Sequence, residues 1–203
     1  MTRMIAILGN TNQFIPRKEN DMARIEPLTV ETASPEGAQI LSAIKSKIGM
    51  VPNLYATMAH SPAALGAALA FGDAMEQSVL SAQVKEQLAL AIAGANTCDY
   101  CASAHTAIGK MTGVEESELS QNLAGTSSDP KVQALLTLAT LIVKSRGNLT
   151  DVEIAEAREA GVSDAEIVEV VATVAINVFT NYFNHIAETV IDFPVVQTAA
   201  VVS

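Results

Sequence analysis

The chain has 203 residues, 49% of them hydrophobic, which is enough for one compact domain or a tightly joined pair and excludes a disordered tail. With 12 basic against 22 acidic residues the formal net charge is −10, so a surface built to neutralise phosphates is excluded and nucleic acid with it. Aromatic residues are only 4% with no Trp, a composition that suits closely packed, Ala-rich helices better than sheets. The two cysteines, Cys98 and Cys101, are too few and too close to staple a small secreted domain, and they read as chemistry instead.

In chain order, residues 1–21 have no sustained period and read as a loose arm, or as a stretch ahead of the true start at Met22. Their one short apolar run lacks the length of a secretory segment, so a cytoplasmic protein is expected. Residues 22–203 read as a single helical domain. Ser34-Pro35 caps and opens a helix whose Ile40, Leu41, Ile44 and Ile48 keep one face apolar until Gly49 ends it. Ser61-Pro62 opens a second helix to about Gln77, and Ser81 caps a third through Ala95. Gly94, Asn96 and Thr97 interrupt that helix; Asn96 or Thr97 can cap the next one, with Cys98 in its first turn. Asp129-Pro130 opens a further helix closed by Lys144, Arg146 and Gly147. Thr150 with Glu153, and Ser163 with Glu166, have capping-box spacing, and the second leads into an apolar helix that ends near His185. The longest apolar stretches, 88–95 and 170–179, fall short of the roughly 20 residues that cross a bilayer. No period-two alternation appears, so the fold expected is an all-α helical bundle.

A faint internal repeat runs through this pattern. Ser81 begins an apolar helix that reaches Asn96 and then His105, and Ser163 begins one that reaches Asn177 and then His185. A real duplication competes with chance similarity between two Ala/Val-rich helices. The second copy has no cysteine.

The chemistry is concentrated in residues 97–105. On a helix, steps of three and four residues return a side chain to one face, so Cys98, Cys101 and His105 form a stripe in which two thiols and an imidazole converge. Unpaired N–H groups at the start of that helix favour thiolate over thiol, and by that argument favour the more N-terminal Cys98. If the chain turns back at residues 95–96, Glu86 and His105 come opposite each other. A carboxylate there can orient the ring, raise its basicity and pass protons.

Glu86, eleven intervening residues, Cys98-x-x-Cys101, three residues and His105 resemble the signature of the alkylhydroperoxidase D (AhpD-like) branch of the carboxymuconolactone decarboxylase family. Lys47-Ile-Gly-Met-Val-Pro-Asn53, Ala59-His-Ser-Pro62 and Gly161-Val-Ser-Asp-Ala-Glu166 are also similar to its peroxidase-related subgroup, so the resemblance covers roughly residues 22–193. It implies an AhpD-like helical fold and a trimer or hexamer. It also implies a thiol peroxidase in which Cys101 is the peroxidatic thiol, Cys98 the resolving thiol, His105 the base or proton relay and Glu86 its partner. The substrate would be a peroxide and the reductant an external lipoyl-bearing or thioredoxin-like dithiol protein. One position departs from the branch: Tyr100 stands where better-characterised members carry a second His. A phenol donates a hydrogen bond but is not a base near neutral pH, which bears on peroxidase rate and on the physiological substrate.

No heme, flavin or other cofactor is implied, since no His adjoins Cys101 and no Gly-rich turn follows a strand. A zinc site would have Cys98, Cys101 and His105 but no fourth ligand in sequence, so no metal is expected. The competing readings are a non-redox oligomeric or metal-binding module with packed thiols, and a cofactor-free decarboxylase like other members of the wider family. His60 reads as a helix-end residue and His185 as a packed or interface residue. The apolar tail at 195–202 reads as frayed or docked on a neighbouring subunit.

Overall fold

A computed structural model describes residues 23–198, and these contain nine α-helices and no strand. The arm expected at residues 1–21 lies outside the described residues. The all-α expectation holds, and most helices begin and end where local chemistry dictates. In α1 (Pro35–Ile48) the Ser34 hydroxyl accepts from the Gly37 N–H at 3.2 Å, and Gly49 closes the helix in the left-handed region at φ 86°. In α3 (Pro62–Met75) Ser61 Oγ accepts from Ala64 N at 3.3 Å, and the helix ends two residues before Gln77 in tighter turns. α4 (Ala82–Ala95) is capped by Ser81. α7 (Pro130–Ser145) is capped by Asp129, which accepts from Lys131 N and Val132 N, and it ends on left-handed Arg146 and Gly147. Both capping boxes form: Thr150 with Glu153 opens α8 (Asp151–Glu159), and Ser163 with Glu166 opens α9 (Asp164–Ala187).

Three helices carry no such punctuation: α2 (Asn53–Met58), α5 (Asp99–Met111) and α6 (Glu116–Leu123) lack a side-chain cap bond at their start.

The described residues fall into two compact units. The first takes in the chain up to Leu69 together with Ile186–Asp192. There the backbone N–H groups of Arg24 and Ile25 donate to the Ala187 carbonyl, Asn53 donates its backbone N–H to Asp192 at 2.7 Å, and His60 Nε2 meets the Glu26 carbonyl at 2.9 Å. The second unit takes in Ala70–His185 and the chain from Phe193 onward. Its core is built from Leu88, Ala91 and Ile92 of α4, Leu135, Leu136, Leu138, Ala139 and Ile142 of α7, Ala157 of α8, and Val170 and Val174 of α9. α4 is the spine of this unit: its residues from Gln87 to Ala93 are all buried, and it packs against α5, α6 and α7.

Gly94 does not break α4, as its residue type suggests; it lies within the helix as a packing position. A Cβ there would sit 2.0 Å from the Leu123 carbonyl oxygen, so only Gly lets the end of α6 approach so closely. α9, at 24 residues with a mean hydropathy of 1.2 over its most apolar window, is long and apolar enough by length and composition to cross a membrane. Buried Thr173, Asn177, Asn181 and Asn184 punctuate it.

The chain reversal after α4 is a Schellman turn. Cys98 N donates to Ala93 O at 2.9 Å and Thr97 N to Gly94 O at 3.1 Å, with Thr97 at φ 56° in the position that normally takes Gly. A β-branched residue in the left-handed region is strained, at a cost of order 1–2 kcal/mol. Thr97→Gly is therefore expected to raise stability by about 1 kcal/mol in denaturant titrations. Gly94→Ala, which drives a methyl group into a backbone carbonyl, is expected to lower it by more than about 2 kcal/mol, in the manner of an overpacked core. The reverse order would contradict this account of the turn.

Candidate active site

The Schellman turn reverses the chain so that α5 runs back along α4. Cys98 is the N-cap of α5, with extended backbone and no side-chain cap bond, not a residue of its first turn. This corrects the sequence expectation that Asn96 or Thr97 caps the helix. Asp99 is the first helical residue and Cys101 the third, inside the first turn. The helix terminus does not by itself select Cys101, because the Cys101 backbone N–H acts to stabilise charge on the Cys98 sulfur, and the side-chain contacts decide between the two thiols.

Both cysteines are buried and both are free thiols. They hydrogen-bond each other, and this contact splits their acidities. The Cys98 donor stabilises negative charge on Cys101; burial opposes it, and the nearby His105 charge and the Asn184 amide add to the stabilisation. The net result holds the Cys101 thiol below its ordinary range. The same contact, with burial, pushes the Cys98 thiol up. Asn184 Nδ2 donates to Cys101 Sγ at 3.3 Å.

The turn symmetry also brings Glu86 and His105 together. His105 Nδ1 donates to Glu86 Oε2 at 2.8 Å, with both side chains about one-fifth exposed, at 23% and 17%. Burial disfavours the charged imidazole, but the Glu86 charge and hydrogen bond, and then the Cys101 charge, outweigh it and raise the His105 pKa. The four residues singled out in sequence therefore lie in one cluster, built by α4, the turn and α5.

Other residues gather at the start of α5. Val196 N donates to Ser103 Oγ at 2.9 Å, Thr198 donates its backbone N–H and hydroxyl to Asp99 Oδ1, and Phe193 meets the Tyr100 ring edge-on at a centroid distance of 5.8 Å. The described part of the C-terminal tail, up to Thr198, is therefore docked on α5 of its own chain and is not frayed; the rest of the segment 195–202 lies outside the described residues. His185 is exposed and contacts the Thr97 carbonyl through Nε2 at 3.3 Å. Asn181 and Asn184 were missed in sequence. Their signal is a pair of amides three residues apart in an otherwise apolar helix, in the segment Asn181-Tyr-Phe-Asn-His185. Another perturbed acid, Glu118, has its pKa lowered to about 2: burial opposes ionisation, but hydrogen bonds from Ser127, Ser128 and Asn122 prevail, and together they tie α6 to the start of α7. Among the described residues no group of three or more His, Cys, Asp and Glu side chains is arranged to hold a metal ion.

Comparison with known proteins places this fold. The model of the carboxymuconolactone decarboxylase family matches the chain twice, at residues 62–128 and 120–190. The chain belongs to the carboxymuconolactone decarboxylase family, and the double match favours a real duplication behind the faint sequence repeat. Its fold is similar to the alkylhydroperoxidase AhpD core of a peroxidase-related protein from Ralstonia eutropha, with a TM-score of 0.76 at 23% identity over 84% of this chain and 92% of that one. A peroxidase-related protein from Silicibacter sp. TM1040 has a TM-score of 0.72 at 19% identity over 88% and 94% of the two chains. The debrominase Bmp8, in complex with 2,3,4-tribromopyrrole, has a TM-score of 0.69 at 20% identity over 88% and 95%. No curated protein sequence matches.

The electrostatics set a pH window. His105 has a raised folded pKa, so the stability it contributes is fully present below its unfolded value, about 6.5, and is lost as pH rises through the folded value. Cys101 has a lowered folded pKa, so its contribution is present above the unfolded thiol value, about 8.5, and is lost as pH falls through the folded value. Accordingly, iodoacetamide alkylation of Cys101 should titrate below about 8.5, and Cys98→Ala should move that midpoint upward by removing the donor. Glu86→Gln should move the His105 midpoint, followed by NMR, downward. Midpoints that stay put in both variants would contradict these assignments.

Proposed function

We propose that this protein is a thiol-dependent peroxidase in which Cys101 and Cys98 cycle between dithiol and disulfide. The observation that carries the reading is the pair of donors on the buried Cys101 sulfur, the Cys98 thiol and the Asn184 amide, with the His105–Glu86 pair beside it. The Cys101 thiolate attacks the terminal oxygen of a hydroperoxide. The S–O bond forms as the O–O bond breaks, the sulfur is oxidised to a sulfenic acid, and the departing alkoxide takes a proton from His105. Because Nδ1 of His105 is engaged by Glu86, Nε2 is the nitrogen that delivers this proton and recovers one afterwards. Cys98 then attacks the Cys101 sulfenic sulfur, forming the disulfide and releasing water. An external dithiol, on a lipoyl-bearing or thioredoxin-like protein, reduces the disulfide by exchange and restores both thiols.

Tyr100 is 4% exposed, with its ring against Phe193, which suits a packing role and leaves the proton relay to His105 and Glu86. Repeated reduction fits a reducing, cytoplasmic setting. The exposed Val168, Val171, Phe179 and Tyr182, at helical spacing along α9, support the homo-oligomer implied by the family resemblance.

Hydroperoxide consumption coupled to a dithiol tests the reading. Cys101→Ser should abolish turnover, and Cys98→Ser should stop it after a single equivalent of peroxide. Glu86→Gln should slow it roughly a hundredfold, the low end of what a positioned acid–base group supplies. Full turnover in either cysteine variant would overturn the proposal.

A further inference from the structure

The cysteine and histidine chemistry leaves two buried amides beside Cys101 unexplained. Asn184 is 4% exposed and donates Nδ2–H to Cys101 Sγ at 3.3 Å, yet its Oδ1 meets no hydrogen-bond partner. Asn181 is fully buried; its Oδ1 accepts from Asn96 Nδ2 at 2.8 Å, which fixes the amide orientation and leaves Nδ2 without a partner at hydrogen-bond distance. The Asn181 amide also stabilises charge on the sulfur that Asn184 contacts, less than Asn184 does. A third amide one turn earlier on α9, Asn177, instead donates to the Thr173 carbonyl of its own helix at 2.9 Å. Buried amide groups are almost always paired, so an orphan donor and an orphan acceptor flanking one sulfur call for an occupant.

The occupant must both accept and donate a hydrogen bond while bonded to, or in contact with, Sγ. A hydroxyl oxygen on sulfur meets both conditions. We propose that Asn181 and Asn184 form an amide notch that holds charge on Cys101 Sγ and then seats the oxygen this sulfur takes from a hydroperoxide. The oxygen accepts from Asn181 Nδ2, and its hydrogen is donated to Asn184 Oδ1. The inference rests on the reading of Cys101 as the attacking thiolate. The electron balance is that of the peroxidase step: the terminal peroxide oxygen moves to sulfur with its hydrogen, the O–O bond breaks, and the alkoxide leaves with a proton from His105. The notch adds donors to the charged sulfur in the ground state and holds the sulfenic hydroxyl until the Cys98 thiol displaces it. Both amides come from α9, within the second family-model match, whereas the thiols lie within the first.

The test uses the full chain in a Cys98→Ser background, with Asn181→Ala, Asn184→Ala and the isosteric Asn184→Asp, each checked for folding by circular dichroism. With no peroxide present, the iodoacetamide pH profile of Cys101 should shift upward by about one unit in both Asn184 variants, a tenfold loss of thiolate at a fixed pH below the midpoint. After about ten equivalents of hydrogen peroxide, sulfenic acid trapped by a 1,3-cyclohexanedione reagent should decay roughly tenfold faster in Asn181→Ala and Asn184→Ala than with both asparagines present, with sulfinic acid accumulating as a second peroxide oxidises the exposed sulfenic acid. Unshifted profiles in both Asn184 variants, or a sulfenic acid that forms and lasts equally in every asparagine variant, would overturn the notch while leaving the peroxidase reading intact. If no sulfenic acid forms with both asparagines present, the peroxidase reading and the oxygen seat fall together.

Discussion

The hydrogen bonds of the turn at Asn96–Cys98 govern everything at this site. Cys98 N to Ala93 O and Thr97 N to Gly94 O end α4 and start α5 within three residues, and they require Thr97 to accept a left-handed conformation. A looser connection would slide α5 along α4 and separate Glu86 from His105, because each residue of slip moves a helix by 1.5 Å. The tight turn also sets the N-cap at Cys98 and places Cys101 within the first turn of α5. Strain at Thr97 is balanced by what surrounds it: its carbonyl accepts from His185, and Asn96 beside it is tied to Asn181.

A thiol cannot keep a low pKa in a dry interior without donors, since burial alone favours the neutral form. Cys101 has two donors: the neighbouring Cys98 thiol and the Asn184 amide. The positive charge favoured on His105 adds to them, and Glu86 sustains that charge in turn. Each element therefore depends on the next: the carboxylate on the imidazole, the imidazole on the thiolate, and the two thiols on each other. Cys98 carries the opposite consequence of the same contact and remains a protonated thiol, which suits the later partner in a disulfide.

Much of this was legible in the sequence wherever local rules operate. Ser34-Pro35, Ser61-Pro62, Ser81, Asp129-Pro130 and the two capping boxes place six helix starts, because a cap and a proline act over three or four residues. Glu86 facing His105 was legible because an antiparallel pair obeys mirror symmetry about its turn. α2 and α6 were not, since no side-chain cap announces them. Gly94 misled, because a glycine that ends a helix and one that admits a neighbouring carbonyl look alike until Leu123 is placed. Asn181 and Asn184 are about eighty residues from Cys101 in the chain, and only the folded path of α9 brings them to its sulfur. The docking of the tail on Asp99 and Ser103 is equally non-local.

Duplication clarifies the division of labour. One copy keeps the helix break, the thiols and the acid–base pair, while the other is an unbroken 24-residue helix that offers amides to the same sulfur. The central claim is that Cys98 and Cys101 are a redox pair. It is tested most directly by counting free thiols before and after one equivalent of hydrogen peroxide, with peptide mass spectrometry to locate any bond. The account predicts the loss of both thiols and an intramolecular Cys98–Cys101 disulfide that a dithiol reverses. Two thiols still free after peroxide treatment would contradict it.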